Sequence, residues 1–253
     1  MKNKVLMRAA GAVILIICIV MTCYPVCGFN SSTHRRVTSV GLENIAKIND
    51  ELLKKKNEKF LFNKKEENYW KIVEDFSIKP DEDENQGAYK YHFYNFINEK
   101  NYMGERDSAL TRCKEHFQNA VKNYKQNNKK KAYEELGRAL HFIEDLNTPV
   151  HTVYQMSYEA VVKFPLHVKF EKECDDICKE CNIRVNFDNM KYYDVNSLDT
   201  ICKSSAVLSE NNFSKLEEKI SKSKFIRIAK NAVYNAQEKV TGILYKFFNE
   251  IKK

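Results

Sequence analysis

The sequence predicts an all-α protein with a single multi-helix domain, because it combines helical hydrophobic periodicity with few turn-forming residues. The 253 residues include only four prolines and seven glycines, which is too few for the many tight turns of an all-β fold. Hydrophobic residues make up 43% of the chain, enough for one full core at this length. Neither an internal repeat nor a linker marks a second domain.

The N-terminal 28 residues are typical of a signal peptide. Three basic residues lead into an apolar stretch over 9–21, which is short for a membrane span. Small or β-branched residues just before Phe29 permit cleavage there. We therefore expect a signal peptide over 1–28 and a secreted domain over 29–253. An uncleaved anchor and a lipoprotein at Cys23 are the alternatives.

The charge of the chain is compatible with several kinds of partner. The formal net charge is +8, and removal of the three basic residues of the signal peptide leaves about +5. Such an excess suits an anionic membrane surface or a phosphate-bearing substrate, and it also suits an ordinary solvated surface. Net charge alone therefore selects no function.

Five cysteines remain in the predicted mature chain: Cys113, Cys174, Cys178, Cys181 and Cys202. Because export favours oxidation, two disulfides and one free thiol are the expectation. The run Cys174-x3-Cys178-x2-Cys181 has loose metal-ligand spacing, so a structural zinc is an alternative.

Hydrophobic periodicity and helix-end signals predict the helices in chain order. Thr33 can cap the first helix, and Pro149 follows the end of the third as a residue that cannot continue it. The charged and aromatic segment 57–103 is predicted to be mainly an irregular, site-building loop. The predicted helices cover 34–56, 106–126, 130–146, 167–181, 197–209 and 223–250.

Two pairs of potential metal ligands occur at helical spacing. His141 and Asp145 stand at i and i+4, so both side chains project from one face of a helix. His151 follows after a helix-stopping turn that brings a third ligand close. His167 and Glu171 repeat the i, i+4 arrangement. Imidazole and carboxylate are ligands that catalytic zinc accepts, so the grouping predicts a metal site.

The other histidines divide into two kinds. His34 and His92 fit the same scheme of ligands, whereas His116 has no such place and is expected to be structural or exposed. A single histidine on an amphipathic helix is more often a surface or core residue than a ligand. The prediction therefore depends on the whole set of residues.

These residues resemble bacterial zinc-dependent phospholipases C, the alpha-toxin type in particular. The stretch over 136–151 reads LGRALHFIEDLNTPVH and looks like the metal-binding helix and turn of that family. The stretch LHVKFE over 166–171 is similar to its next ligand helix. Upstream, PDED over 80–83, YHF over 91–93 and the dipeptide Thr33-His34 resemble its remaining ligand segments. The resemblance implies the all-α fold that this family shares with single-strand nucleases.

The resemblance also implies three zinc ions and their ligands. One zinc would be held by Asp81, His92, His141 and Asp145. A second would be held by His151, His167 and Glu171 with water. A third would be held by His34, Asp145 and the mature N-terminus, which Phe29 would supply. Asp145 would bridge two ions, Asp81 would be the general base, and Tyr89 would lie in the headgroup pocket.

The sequence departs from the family in two places. The family's mature chain begins with a tryptophan that ligates zinc through its backbone, whereas the single tryptophan here is Trp70. The spacing of Phe29 and His34 along the chain is closer to the corresponding spacing in the related single-strand nucleases. Alpha-toxins also carry a C-terminal β-sandwich for membrane docking, and we expect no such module here.

The expected function is a phospholipase C that hydrolyses phosphatidylcholine-type lipids at a membrane surface. The products would be diacylglycerol and a phosphorylated headgroup, and the protein would act as a monomer without nucleic acid as a partner. A zinc-dependent single-strand nuclease is one alternative, since the tyrosines near His92 could stack on bases. A non-enzymatic helical binding protein with structural metals is another.

Overall fold

A computed structural model gives the structure of the chain over the following residues: 29–55, 60–85, 89–153, 159, 162–216 and 220–253. The predicted signal peptide over 1–28 lies outside these residues. Within them the protein is helical, with no β-strand and a single isolated bridge between Asn95 and Lys100. The predicted all-α class and the single multi-helix domain are confirmed.

The described part of the chain contains nine α-helices. They are α1 Ser31–Lys54, α2 Trp70–Phe76, α3 Lys79–Asp83, α4 Ala109–Lys125, α5 Lys129–Asp145, α6 Phe164–Cys178, α7 Lys191–Val195, α8 Leu198–Leu216 and α9 Lys222–Glu250. Short 3-10 turns occur at Lys64–Tyr69, Lys90–His92, Pro149–His151 and Phe187–Met190. All six helices expected from periodicity are present, with ends shifted by at most three residues except the end of α8, which lies seven residues later than expected.

The helix α5 lies at the centre of the fold. It packs antiparallel to α4 and also contacts α1, α2 and α9. The residues expected to face inward, Leu136, Ala139, Leu140 and Ile143, are all fully buried. Because α5 is enclosed by other helices, the polar side chains near its C-terminal end are buried as well. This placement puts potential ligands inside the domain.

The expectation that 57–103 is mainly irregular was wrong in part. The helices α2 and α3 have only seven and five residues, too short to be stable by propensity alone. Their stability comes from packing of α2 against α5 at Gly137. A Cβ atom at Gly137 would lie 2.5 Å from the Val73 carbonyl oxygen, so only glycine permits this approach. Tertiary packing of this kind leaves no periodic signal in the sequence.

The cysteines differ from the expected pattern of two disulfides. All five cysteines of the described chain are buried and carry free thiols. Among the described residues, none of them belongs to a side-chain cluster that could hold a metal ion. The structural zinc site considered at Cys174, Cys178 and Cys181 is therefore not formed in the part of the chain that the structure describes.

None of the helices in the described ranges combines the length and the apolar character needed to span a membrane.

Candidate metal centre

The C-terminal turn of α5 carries the centre of the site. His141 and Asp145 are fully buried, and His141 Nε2 lies 3.3 Å from Asp145 Oδ2, as their i, i+4 spacing predicts. The helix ends at Asp145, and the chain turns back through the 3-10 turn Pro149–His151. The turn places His151 Nδ1 3.4 Å from Asp145 Oδ1. One helix end and one turn thus bring three potential ligands together.

A first group of four donors surrounds one point. His92 Nδ1 lies 2.9 Å from Asp145 Oδ2 and 3.0 Å from His141 Nε2. Asp81 Oδ1 lies 3.6 Å from His92 Nδ1 and 3.5 Å from His141 Nε2. Tetrahedral zinc with ligand bonds near 2.0–2.1 Å separates its donor atoms by roughly 3.3 Å. These separations therefore fit a four-coordinate zinc ion.

A second group has three donors and joins the 3-10 turn to α6. His151 Nε2 lies 3.2 Å from His167 Nε2 and 3.4 Å from Glu171 Oε1. His167 and Glu171 are one turn apart on α6, with His167 Nε2 2.5 Å from Glu171 Oε1. Three protein donors are the number that a catalytic zinc site takes, with water as the fourth ligand.

The third group of donors includes a residue of α1. His34 on α1 groups with His141 and Asp145, and the His34 and His141 rings stack with centroids 4.0 Å apart. His34 Nε2 lies 3.9 Å from Asp145 Oδ1, a wider spacing than in the other groups. Phe29 is buried with its ring edge-on to His34 at 5.7 Å. The structure therefore places Phe29 beside His34 through its side chain.

Hydrogen bonds to the far ring nitrogens orient these histidines. His141 Nδ1 lies 2.8 Å from the Ser77 carbonyl oxygen, and His151 Nδ1 lies 2.9 Å from the His92 carbonyl oxygen. Each Nδ1–H donates to a carbonyl, which leaves the Nε2 lone pair facing the cluster. This arrangement is the usual one for metal-binding histidines.

Glu144 is a member of the site that the sequence analysis missed. Its Oε2 lies 2.5 Å from His34 Nδ1, and its Oε1 accepts a 2.8 Å hydrogen bond from the Thr38 hydroxyl. The carboxylate is fully buried. The sequence does contain a signal for it, which is a second acidic residue directly before Asp145 on α5. Because adjacent side chains on a helix point in different directions, this second acid would be expected to have a different partner from Asp145.

Buried polar atoms without hydrogen bonds support a bound cation. Among the described residues, His34 Nε2 and Asp145 Oδ1 have no hydrogen-bond partner although both side chains are fully buried. An unsatisfied buried acceptor is costly, and native proteins usually provide a partner. The donor set of imidazoles and carboxylates is also that of zinc. The residues present therefore fit zinc.

Burial and crowding shift the pKa values of the site. Burial alone would lower the pKa of His141, but the charges of Asp145 and Asp81 outweigh it and raise the pKa to about 10. Burial raises the pKa of Glu171 to about 8 against the influence of His151. Burial and the nearby His141 lower the pKa of His34 well below its usual value. Such strongly shifted groups are typical of functional sites.

An ion cluster supports the short helix that carries Asp81. Arg138 Nη1 is 2.6 Å from Glu84 Oε1, and Arg138 Nη2 is 2.5 Å from Asp83 Oδ2. His116 lies between Glu84 and Glu135, 3.1 and 2.7 Å from their carboxylate oxygens. The sequence analysis expected His116 to be structural or exposed, and it is structural. The cluster fastens the end of α3 to α4 and α5.

Tyr89 lies next to the first group of donors. Its ring centroid is 5.7 Å from that of His92. Its backbone has a φ of 61°, a left-handed conformation that is uncommon for a residue other than glycine. Such conformations cluster at functional sites, where the surrounding structure holds them. The half-buried ring is thus placed beside the expected ligands.

Comparison with known proteins identifies the family. The family model for zinc-dependent phospholipase C matches residues 42–231. The chain belongs to the zinc-dependent phospholipase C family. The match includes Asp81, His92 and every later member of the donor groups, and it begins after His34. Phospholipases C of this family are phosphodiesterases, so the chain belongs to a family of enzymes.

Two solved structures show the same fold. Alpha toxin from Clostridium absonum is 22% identical with a TM-score of 0.71, and the alignment covers 90% of this chain and 65% of the toxin. Alpha-toxin of Clostridium perfringens, isolated from avian strain SWCP, is also 22% identical with a TM-score of 0.72, covering 90% of this chain and 64% of the toxin. The family member described here therefore spans slightly less than two thirds of each toxin. No curated protein sequence matches the chain.

Proposed function

We propose that the protein is a secreted zinc-dependent phospholipase C that hydrolyses phosphatidylcholine-type phospholipids to diacylglycerol and a phosphorylated headgroup. One observation carries the proposal. A three-donor group, His151, His167 and Glu171, lies beside a four-donor group within one buried cluster. A purely structural metal site would be expected to have four protein ligands throughout.

The chain offers ligands for up to three ions. Asp81, His92, His141 and Asp145 would hold one zinc, and His151, His167 and Glu171 a second. His34 and Asp145 would hold a third, together with the mature N-terminus at Phe29 if cleavage frees its amino group. Zinc bound there supplies charge for the phosphate oxygens and a water of lowered pKa.

Asp81 is the proposed general base. Its Oδ1 and Oδ2 face three histidines, with His34 Nε2 at 4.0 Å from Oδ2. Its side chain is slightly exposed, whereas Asp145 is completely buried. A carboxylate at the border between the cluster and solvent can accept the proton of the attacking water and pass it outward. Arg138 supports this position through Asp83 and Glu84.

Tyr89 is the proposed contact for the headgroup. A quaternary ammonium within about 6 Å of an aromatic ring centroid is attracted by the ring quadrupole. Tyr89 stands beside His92, so its ring could hold choline while the phosphate reaches the metals. The left-handed backbone at Tyr89 would fix the ring for that contact.

The domain organisation and location are part of the proposal. Residues 1–28 would be a signal peptide and 29–253 a secreted, monomeric catalytic domain. N-terminal sequencing of the protein recovered from culture medium tests this proposal. Phe29 as the first residue supports both the cleavage site and an N-terminal ligand, and recovery of the uncleaved chain in the membrane fraction contradicts them.

The decisive experiment is hydrolysis of phosphatidylcholine vesicles and single-stranded DNA in parallel by the purified mature protein. Each substrate is assayed with chelator and again after zinc is restored. We expect zinc-dependent release of phosphocholine. DNA cleavage without lipid cleavage would move the protein to the nuclease alternative, and zinc binding without either activity would favour the binding protein.

Two histidine variants distinguish loss of a metal ligand from general destabilisation of the fold. His167→Ala removes a member of the three-donor group and should abolish hydrolysis. His116→Gln removes a histidine outside the donor groups. It should destabilise the fold but leave most of the zinc content and hydrolysis at pH 7, because Arg138 still pairs with Asp83 and Glu84. Equal loss in both variants would contradict the assigned site.

A further inference from the structure

Two exposed turns follow the expected ligand His92 and lie beside the site without contributing donors to it. We name residues 95–106 the docking loop. Its start is fixed to the His151 turn, because the Tyr94 backbone N–H donates to the His151 carbonyl at 3.0 Å. Asn95 Nδ2 also donates to the Val153 carbonyl at 3.2 Å. The docking loop therefore has a fixed position relative to the metal ligands.

A buried asparagine organises each turn of the docking loop. Asn95 Oδ1 accepts a 2.9 Å hydrogen bond from the Ile97 N–H, and Asn101 Oδ1 accepts a 2.8 Å bond from the Met103 N–H. Both asparagines are almost completely buried. The side chains at the tips are exposed, with 59% of Ile97 and 49% of Met103 accessible to solvent. Two rigid turns thus present one apolar side chain each.

A cleft of about 350 Å³ lies against the docking loop. The Tyr94 hydroxyl is buried and has no hydrogen-bond partner within the described ranges. Because solvent does not reach this hydroxyl, a ligand in the cleft would meet the charged side chains that line it, among them Lys100 and Arg106. The cleft is lined by side chains that include Tyr94, Lys100, Arg106, Thr111, Asp199 and Lys203.

The charges of the docking loop leave two cations available. Each acid of the loop is paired with a lysine, at N–O distances of 2.6 and 2.7 Å: Glu99 with Lys203 and Glu105 with Lys90. Lys100 and Arg106 are exposed and form no ion pair with any residue that the structure describes. Isolated apolar tips between free cations are typical of a surface that meets anionic lipid. A protein interface would instead have a contiguous apolar centre.

We infer, on the basis of the proposed function, that the docking loop binds an anionic phospholipid bilayer. Ile97 and Met103 enter the boundary between headgroups and acyl chains, while Lys100 and Arg106 contact lipid phosphates. Because the loop is fixed to the His151 turn, docking holds the metal cluster at a set distance from the membrane.

Co-sedimentation of the mature holoprotein with sucrose-loaded vesicles tests this inference. The vesicles contain phosphatidylcholine and phosphatidylglycerol at two to one, and binding is measured after a brief incubation on ice. Ile97→Asp and Met103→Asp should each weaken partitioning about tenfold at any salt concentration. Lys100→Glu and Arg106→Glu should each weaken it at least about fivefold at low salt, and less at high salt.

Control variants lie at the far end of α1. Leu53 is 46% exposed and about 28 Å along the helix from His34, at 1.5 Å per residue. Leu53→Asp and Lys54→Glu make the same changes there and should bind vesicles as the wild type does. Failure of the wild type to bind vesicles, or equal losses in the loop and control variants, would overturn the inference.

A second assay separates docking from phospholipase activity. Hydrolysis of dihexanoyl phosphatidylcholine, kept monomeric, is compared with hydrolysis of vesicles. For the loop variants the ratio of vesicle to monomer hydrolysis should fall about tenfold, and an unchanged ratio would overturn the inference. Loop-dependent vesicle binding by a wild type that hydrolyses neither substrate would support docking and refute the proposed function.

Discussion

The Glu144 carboxylate lies 2.5 Å from His34 Nδ1, deep inside the domain and on the side of the imidazole away from the metal ligands. Through this contact α5, which carries His141 and Asp145, also orients His34 on α1. The Thr38 hydroxyl, one turn after His34 on α1, donates to the other oxygen of the carboxylate. His34 is therefore held with Nε2 directed at Asp145.

Replacement of Glu144 should weaken the site that contains His34. Glu144→Gln keeps the volume but leaves one acceptor oxygen where the Thr38 hydroxyl and His34 Nδ1–H need two, so the tautomer of His34 is no longer fixed. Loss of a residue that hydrogen-bonds to a metal-binding histidine typically lowers metal affinity about 10- to 100-fold. The test is dialysis against increasing concentrations of chelator, followed by measurement of the zinc content. The variant should lose one zinc ion per chain at a concentration at which the wild type still retains all of its zinc. Equal retention would show that Glu144 does not orient His34.

Asp145 should be the carboxylate whose loss affects the most ions. Its Oδ2 faces His92 and His141, and its Oδ1 lies 3.9 Å from His34 Nε2, in the group proposed to hold another ion. Asp145→Asn should therefore remove more than one zinc per chain and lower hydrolysis at least about 100-fold. Elemental analysis measures the zinc content. Loss of a single ion, with the others retained, would contradict a bridging role.

Gly137 should be needed for the approach of α2 to α5. In Gly137→Ala the new Cβ would lie 2.5 Å from the Val73 carbonyl oxygen. Because that oxygen belongs to the backbone of α2, the clash can be relieved only if the helix shifts. Overpacking of this kind costs about 1–3 kcal/mol of the free energy of unfolding. Because Ser77 follows α2 and its carbonyl accepts from His141 Nδ1, zinc affinity should fall too. Thermal unfolding and zinc titration measure the two effects.

Gly242→Ala is the matched control for Gly137→Ala. Its Cβ would lie 2.1 Å from the Tyr193 ring, on α9 and away from the donor groups. It should lower the melting temperature without changing zinc affinity. A similar loss of zinc affinity in both variants would show that global destabilisation, and not the position of Ser77, is the cause.

The sequence predicted the long helices and the order of the ligands well. Amphipathic periodicity revealed α5, and the i, i+4 spacing revealed its pair His141 and Asp145. The sequence did not reveal α2 and α3, whose stability depends on packing at Gly137. It also missed Glu144, because a contact between α1 and α5 joins residues 110 positions apart. Long-range packing has no local signature in a single sequence.

His116 should stabilise the fold in a pH-dependent manner. Burial would lower its pKa, but hydrogen bonds with Glu135 and Glu84 outweigh burial and raise the pKa to about 9. A raised pKa gives stability that is complete below the unfolded value of about 6.5 and is lost as the pH rises through 9. His116→Gln should cost about 1–3 kcal/mol at pH 6 and little at pH 10.

Denaturant unfolding of the wild type and His116→Gln at both pH values measures this difference. Glu115→Gln, at a neighbouring exposed position, serves as the control and should have little effect at either pH. A difference between wild type and His116→Gln that stays constant from pH 6 to pH 10 would show that the imidazole is neutral in the folded protein.

Zinc titration of the metal-free mature protein, with turnover of monomeric dihexanoyl phosphatidylcholine followed at each step, tests the central claim most directly. A soluble substrate removes any dependence on membrane docking. We expect no turnover without zinc, and recovery of phosphocholine release only as more than one ion binds per chain. Full turnover without zinc, or saturation with zinc and no turnover, would contradict the account.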